Sequence, residues 1–396
     1  MAIGDILHNE RAEMADPYTG RPVIRLTTPT RTSHHMYFYN RMVTGDSRKL
    51  LYCAEVAGDR QLYLLDLATS DAVQLTEGPD LDDYGGMIAA DDQSVFYQQA
   101  GAIWQLDLAA LTRRLVYQAE AGWNCGNWGM SDDNRFLVMT ETLASSLPDL
   151  TGKKGWEFFP LTCAAKPRCR LRYVEVATGK AHTVIEDNCW WGHAQLRPGD
   201  PDTILFCHEG PYDMIDARLW LVKSDGSDYH CAREQPSDTI ITHEFWMPGG
   251  DKIAYVYRKA DDGSTESIRM MAPETLEEEV FMPCLPYAHF ICDGQRRFFA
   301  GDCQGQETPI HLQVQGDGGA KEVKNDFIYL VDIAAKKEIP LCYHGTSWTT
   351  KHGTPQDAHP HPCFTPDGRA VLFTSDREGK PCVYMAPIGD LADARG

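Results

Sequence analysis

Apolar and polar residues alternate along most of the chain in short runs, and helical periodicity is scarce. Segments such as Lys49-Leu-Leu-Tyr-Cys, Ser94-Val-Phe-Tyr, Thr203-Ile-Leu-Phe-Cys and Lys252-Ile-Ala-Tyr-Val read as strands. They are rich in the branched and aromatic residues that fit a pleated, half-buried surface. Each follows a turn signal, near Asp46, Asp91, Asp132, Gly199, Gly249, Asp293 and Asp367. An aromatic-aliphatic run comes next (Leu62-Tyr-Leu-Leu-Asp-Leu, Ile103-Trp-Gln-Leu-Asp-Leu, Leu219-Trp-Leu-Val, Phe327-Ile-Tyr-Leu-Val-Asp-Ile), then a fourth strand such as Ala72-Val-Gln-Leu-Thr. The turns are 45, 41, 67, 50, 44 and 74 residues apart. Four of these spacings lie near the period of about 40–50 residues that marks a four-stranded propeller blade. The two long gaps hold polar insertions, around 141–168 and 302–326, which read as loops grafted on a blade. Seven turns predict an all-β, seven-bladed β-propeller. A pair of β-sandwich domains is the competing architecture, but it gives no reason for a turn recurring at this period.

The last repeat supplies only two strands, at 369–375 and 380–386. Near the start of the chain, Pro22-Val-Ile-Arg-Leu-Thr-Thr-Pro has the pattern of a fourth strand, as in Val73-Gln-Leu-Thr-Glu-Gly. The segment at about 21–28 is therefore expected to complete the last blade, which would cover two exposed sheet edges. All 396 residues then form one domain.

Composition agrees with a large folded unit: 43% of residues are apolar and 24% charged. The net charge of −20 disfavours nucleic acid and anionic membrane surfaces as partners. An anionic substrate would need basic residues concentrated in its site. No run approaches the roughly 18 apolar residues that span a bilayer. The first residues lack a basic and then apolar leader, and the 13 scattered cysteines suit reduced thiols better than a disulfide framework. The expected location is the cytoplasm.

The first strand of a blade lines the channel of a propeller, and histidines recur there. His193, His243 and His361 each lie six residues before their turn, His289 four before and His359 eight before. His34 or His35 opens the equivalent strand of the first blade. One such histidine is ordinarily a hydrogen-bonded core or surface residue, but five blades placing one at the same level point to a shared site. The sharpest element is Gln356-Asp-Ala-His359-Pro-His361-Pro. Residues i and i+2 of an extended strand face the same side, so both imidazoles reach one ion. Imidazole suits Mn, Fe, Ni or Zn. With His289 and Gln356, the set would leave positions open for substrate.

A second constellation is His208-Glu-Gly-Pro followed by Asp216-Ala-Arg218-Leu-Trp. Arg218 has the planar fork that recognises a carboxylate, although it could equally form a surface pair with Asp213 or Asp216. Trp128, Trp190, Trp191 and Trp246 read as core or rim packing rather than sugar platforms. No nucleophile elbow, phosphate-binding loop, zincin helix or dinucleotide fingerprint is present.

Taken together, His34-His-Met-Tyr-Phe-Tyr, Leu75-Thr-Glu-Gly, Phe206-Cys-His-Glu-Gly-Pro, Asp216-Ala-Arg-Leu-Trp-Leu-Val, Thr242-His-Glu-Phe-Trp, Gln356-Asp-Ala-His-Pro-His-Pro, Phe364-Thr-Pro-Asp-Gly and Leu372-Phe-Thr-Ser-Asp resemble the oligogalacturonate lyases. These are seven-bladed propeller enzymes of bacterial pectin catabolism. The resemblance implies a divalent, manganese-type ion held by His289, Gln356, His359 and His361, with His243 as the base and Arg218 on a substrate carboxylate. His34, His193, His208 and Tyr212 would complete the substrate contacts. Tyr212 stands where the family pattern leads one to expect histidine, and the 141–168 insertion is individual. The implied substrates are small anionic oligosaccharides, digalacturonate and unsaturated digalacturonate, cleaved to a 4,5-unsaturated uronate or 5-dehydro-4-deoxy-D-glucuronate. Two other readings remain: a lyase acting on a different uronide, and a non-catalytic propeller that binds partners and holds a structural metal.

Overall fold

Each of the seven turns joins the first two strands of an antiparallel sheet in the computed structural model. Three share one local design: Thr44-Gly-Asp46-Ser-Arg48, Ser131-Asp-Asp133-Asn-Arg135 and Thr365-Pro-Asp367-Gly-Arg369. The hydroxyl donates to the aspartate at 2.6, 2.7 and 2.6 Å. The same carboxylate oxygen accepts the arginine backbone N–H at 3.0 Å in all three. This closes an Asx-turn, and the residue after the aspartate adopts left-handed φ: +58° at Ser47, +60° at Asn134 and +62° at Gly368.

The structure describes residues 1–236, 238–259, 266–313 and 320–394. The chain is all-β, with seven sheets of four or five strands built as β-propeller blades. It groups into two compact units. Residues 1–95, 106–112 and 285–396 form the first, and residues 96–105 and 113–284 the second. The sheet made of Met87–Ile88, Ser94–Gln99, Ala102–Asp107 and Arg113–Gln118 has residues in both.

Three sheets belong to the first unit. One runs Ile6–Leu7, Ala72–Gln74, Asp59–Asp66, Lys49–Val56, Ser33–His35, and another Tyr287–Cys292, Phe298–Cys303, Phe327–Asp332, Lys337–Tyr343. In the third, Pro22–Arg25 pairs with Cys382–Pro387 and, on its other side, with Ala12–Ala15. Val23 is fully buried in a cluster with Phe298, Ile328, Leu330, Val371, Phe373 and Tyr384. The strands Phe298–Cys303 and Ala370–Ser375 are buried at every position, which accounts for the apolar runs Phe298-Phe-Ala and Ala370-Val-Leu-Phe with which they begin. The 302–326 insertion forms a hairpin of Gln306–Gln313 and Ala320–Asn325, with 314–319 outside the described residues.

The second unit holds three consecutive four-stranded sheets, over 123–188, 191–231 and 239–283. Its 141–168 insertion contains the turns Ala144–Ser146 and Gly155–Glu157 and the helix Phe158–Ala165. Among the described residues no helix is long and apolar enough to cross a membrane.

Candidate functional site

The first unit brings together His289, His359 and His361, each offering a ring nitrogen, all within 4.8 Å of one another. His289 and His361 approach most closely, with ring centroids 4.1 Å apart. His289 lies where pairing with the next strand slips by one residue, a bulge of the kind that re-aims a side chain. Asp302, fully buried on that next strand, accepts from the His289 backbone N–H at 2.6 Å and from its Nδ1 at 2.9 Å. It also accepts the backbone N–H of His361 at 3.3 Å. Burial acts to raise the Asp302 pKa, but His289 and His344 outweigh it and hold the group below its usual value. An ionised carboxylate only accepts, so Nδ1 of His289 is the donor and Nε2 is the ring atom left to face an ion.

His359 and His361 follow the turn Pro355–Ala358, closed by a capping box between Thr354 and Asp357. His361 takes a left-handed φ of +48°, uncommon outside glycine and a mark of functional sites. Burial, and then the neighbouring His289, push the His359 pKa down to about 3, so its ring is neutral. Trp348 packs 4.8 Å from it. The side-chain oxygen of Gln356 is buried and accepts no hydrogen bond from the described residues. The three imidazoles, with an unsatisfied amide oxygen on the adjoining turn, form a donor set suited to a borderline divalent cation. A buried amide oxygen with no donor is costly otherwise.

His34 and His35 lie in the same unit, on Ser33–His35, both buried. His34 stacks on Tyr84 at 4.1 Å, with Nε2 3.4 Å from Asp83. Arg60 ties Asp83 to Asp357, at 2.6 Å from each. His34 is thereby connected to the turn that carries Gln356.

In the second unit, His193 and His243 occupy corresponding places in consecutive sheets. Pairing slips between Gly192 and Gln195 and again between Thr242 and Phe245. Each bulge puts its histidine at left-handed φ, +53° and +56°. His243 Nδ1 lies 2.8 Å from the Thr242 hydroxyl, which also bonds Tyr212. Arg218 is 4% exposed. It donates Nε to Glu244 at 2.7 Å, Nη2 to Glu244 at 3.4 Å and Nη1 to Glu209 at 3.4 Å. Its partners are thus Glu209 and Glu244, not Asp213 or Asp216. His193 Nε2 lies 3.4 Å from Glu209. His208 stacks on Trp220 at 4.4 Å and bonds Asp216 through Nδ1 at 2.9 Å. Its Nε2 is buried and has no hydrogen-bond partner among the described residues. Trp128, Trp191 and Trp246 are buried, whereas Trp190 is half-buried beside Phe159.

The family model for oligogalacturonate lyase matches residues 1–392. A curated oligogalacturonide lyase of Pectobacterium atrosepticum is 37% identical over 377 residues, 95% of each chain. Two solved structures cover 98% of this chain. An oligogalacturonate lyase in complex with manganese superposes with TM-score 0.89 at 35% identity, over 98% of its own chain. An oligogalacturonate lyase from Vibrio parahaemolyticus gives 0.88 at 36%, over 99%. The chain belongs to the oligogalacturonate lyase family. It is an enzyme of the lyase class.

Asp302, Glu209 and Glu244 are the residues of this family member that pattern reading passed over. For Asp302 and Glu244 the signal was a carboxylate inside a strand, in Phe298-Phe-Ala-Gly-Asp and Thr242-His-Glu-Phe-Trp, whereas Glu209 directly follows the strand Asp200–His208. A buried charge needs a partner, and here the partners are His289 and Arg218.

Proposed function

We propose that the protein cleaves digalacturonate and unsaturated digalacturonate by metal-assisted β-elimination. The observation that carries this reading is the group of three histidines whose first member is fixed by Asp302, with the buried, unsatisfied oxygen of Gln356 on the turn just before His359. His289, Gln356, His359 and His361 hold the ion, which by likeness to the manganese-bound relative is Mn2+. When bound, such an ion supplies Lewis-acid stabilisation of charge developing on the C6 carboxylate of a uronide.

The chain's own residues do the rest. His243 takes the proton from C5, which is acidic because it is α to that carboxylate. The C5–H electrons become the C4–C5 double bond, the C4–O4 bond breaks, and O4 departs with its pair to be protonated. No water enters, and the products are the 4,5-unsaturated uronate, which tautomerises to 5-dehydro-4-deoxy-D-glucuronate, and a shortened sugar. Support for His243 comes from its bulge, which turns it out of the strand's alternation and seats it on Thr242. Arg218 commits three of its five N–H groups to Glu244 and Glu209. The other two are the donors for a substrate carboxylate, in a chain that is otherwise strongly acidic. His34, His193, His208 and Tyr212 contact the sugar, His208 through its unsatisfied Nε2.

The whole chain acts as one domain in this reading. The thirteen cysteines, all free, suit a cytoplasmic location. Incubation with digalacturonate should raise the ultraviolet absorbance of the conjugated product, with product masses summing to that of the substrate. Products heavier by one water would make the enzyme a hydrolase, and no product would favour a binding role.

A further inference from the structure

The insertion between the second and third strands of the 123–188 sheet is set apart by composition. Residues 151–168 carry four cations, Lys153, Lys154, Lys166 and Arg168, against the single anion Glu157, in a chain of net charge −20. All four cations are exposed, and so is Trp156, at 45%. Trp156 stacks on Phe158 with centroids 5.9 Å apart, and Phe159 packs on Trp190 at 5.2 Å. Arg168 pairs with Glu186, so Lys153 and Lys154 are the cations next to Trp156, and an exposed aromatic surface beside such cations marks a binding site.

Its position says for what. The carbonyl of Trp190 accepts the backbone N–H of Glu209, the partner of Arg218, at 2.8 Å. On the other side of Glu209, Gly210 sits at φ +147°, and a Cβ there would come within 2.5 Å of Cys163 Sγ on the helix Phe158–Ala165. The aromatic and basic surface therefore adjoins the loop that holds Arg218. Both belong to second-to-third-strand connections of consecutive sheets.

We propose that this surface is an additional subsite for the far end of an anionic oligosaccharide. Trp156 offers a flat face to a pyranose ring, and Lys153 and Lys154 meet its carboxylate. The inference rests on the uronide-lyase reading and extends it to chain length: a trisaccharide gains a contact that a disaccharide lacks. Screened, exposed lysines and one ring give a modest gain rather than an anchor.

The test is the triple substitution Trp156→Ala, Lys153→Ala, Lys154→Ala in the full, metal-loaded chain, checked for an unchanged melting temperature. The KM for trigalacturonate should rise about fivefold to tenfold, with kcat unchanged and digalacturonate kinetics unaffected. An unaltered KM for the trimer, or an equal rise for the dimer, would overturn the subsite. If the unmodified enzyme turned over no uronide at all, the lyase reading would fail. Titration calorimetry with trigalacturonate would then still decide the subsite, which requires binding that the triple variant weakens. Sedimentation showing a dimer that the variant dissociates would assign the surface to self-association instead.

Discussion

Asp302 touches both segments that carry the histidine triad, the strand of His289 and the stretch after Pro355–Ala358, and its three hydrogen bonds fix the tautomer of His289 and the backbone of His361. Asp302→Asn keeps the shape but replaces an obligate acceptor with an amide, so the His289 ring loses its enforced tautomer. Affinity for divalent metal should fall about 10- to 100-fold, as for other carboxylates behind metal-bound histidines. Calorimetric titration with Mn2+ measures it, and an unchanged affinity would detach Asp302 from the metal. His243→Ala should behave in the opposite way, retaining metal while turnover falls by about 10²- to 10⁴-fold. Arg218→Lys keeps the charge but loses the fork that Glu244 grips at two points, so substrate affinity and turnover should both drop. At this scale the sequence showed which residue types recur but not their partners. His193 and His243 were legible as repeats, whereas the bulges that re-aim them depend on strand pairing that spacing does not reveal.

The N-terminal strand is the element whose loss should matter most. Pro22–Arg25 buries Val23 and Ile24 against Cys382–Pro387, and full burial of each such side chain contributes about 1.5–3 kcal/mol. Thr27 adds an acceptor for the Val383 N–H at 3.0 Å, and Arg25 pairs with Glu378. Against a typical net stability of about 5–15 kcal/mol, removing residues 21–28 should abolish cooperative thermal unfolding. A truncated protein that melts in one sharp transition at the original temperature would show that the segment is only appended. The alternating Pro22-Val-Ile-Arg pattern made this strand legible. The further strands Ile6–Leu7 and Ala12–Ala15, which pair with Ala72–Gln74 and with Pro22–Arg25, were not foreseen. Two and four residues are too few for a period to register, and only long-range pairing makes them strands.

For the whole molecule, buried histidines set the response to acid. Burial, only partly offset by its backbone hydrogen bonds, lowers His35 to about 4, and burial also lowers His344 and His359. Each is neutral when folded but binds a proton near pH 6.5 when unfolded. Their stabilisation is therefore present above about pH 6.5 and is lost as pH falls towards the folded value. For His35 this amounts to about 2 kcal/mol between pH 7 and pH 5. The paired carboxylates Asp302 and Glu244, held below their usual range, are lost only at lower pH. The melting temperature should fall measurably from pH 7 to pH 5, and a flat profile would mean these rings are solvated. The central claim is that this chain eliminates across a uronide with the help of an ion held by His289, Gln356, His359 and His361. The most direct measurement is the rate of conjugated product from digalacturonate after chelation, after Mn2+ is restored, and in His361→Ala. The account predicts loss on chelation, recovery with Mn2+ in the unmodified protein and no recovery in the variant. Full turnover by protein confirmed free of metal would contradict it.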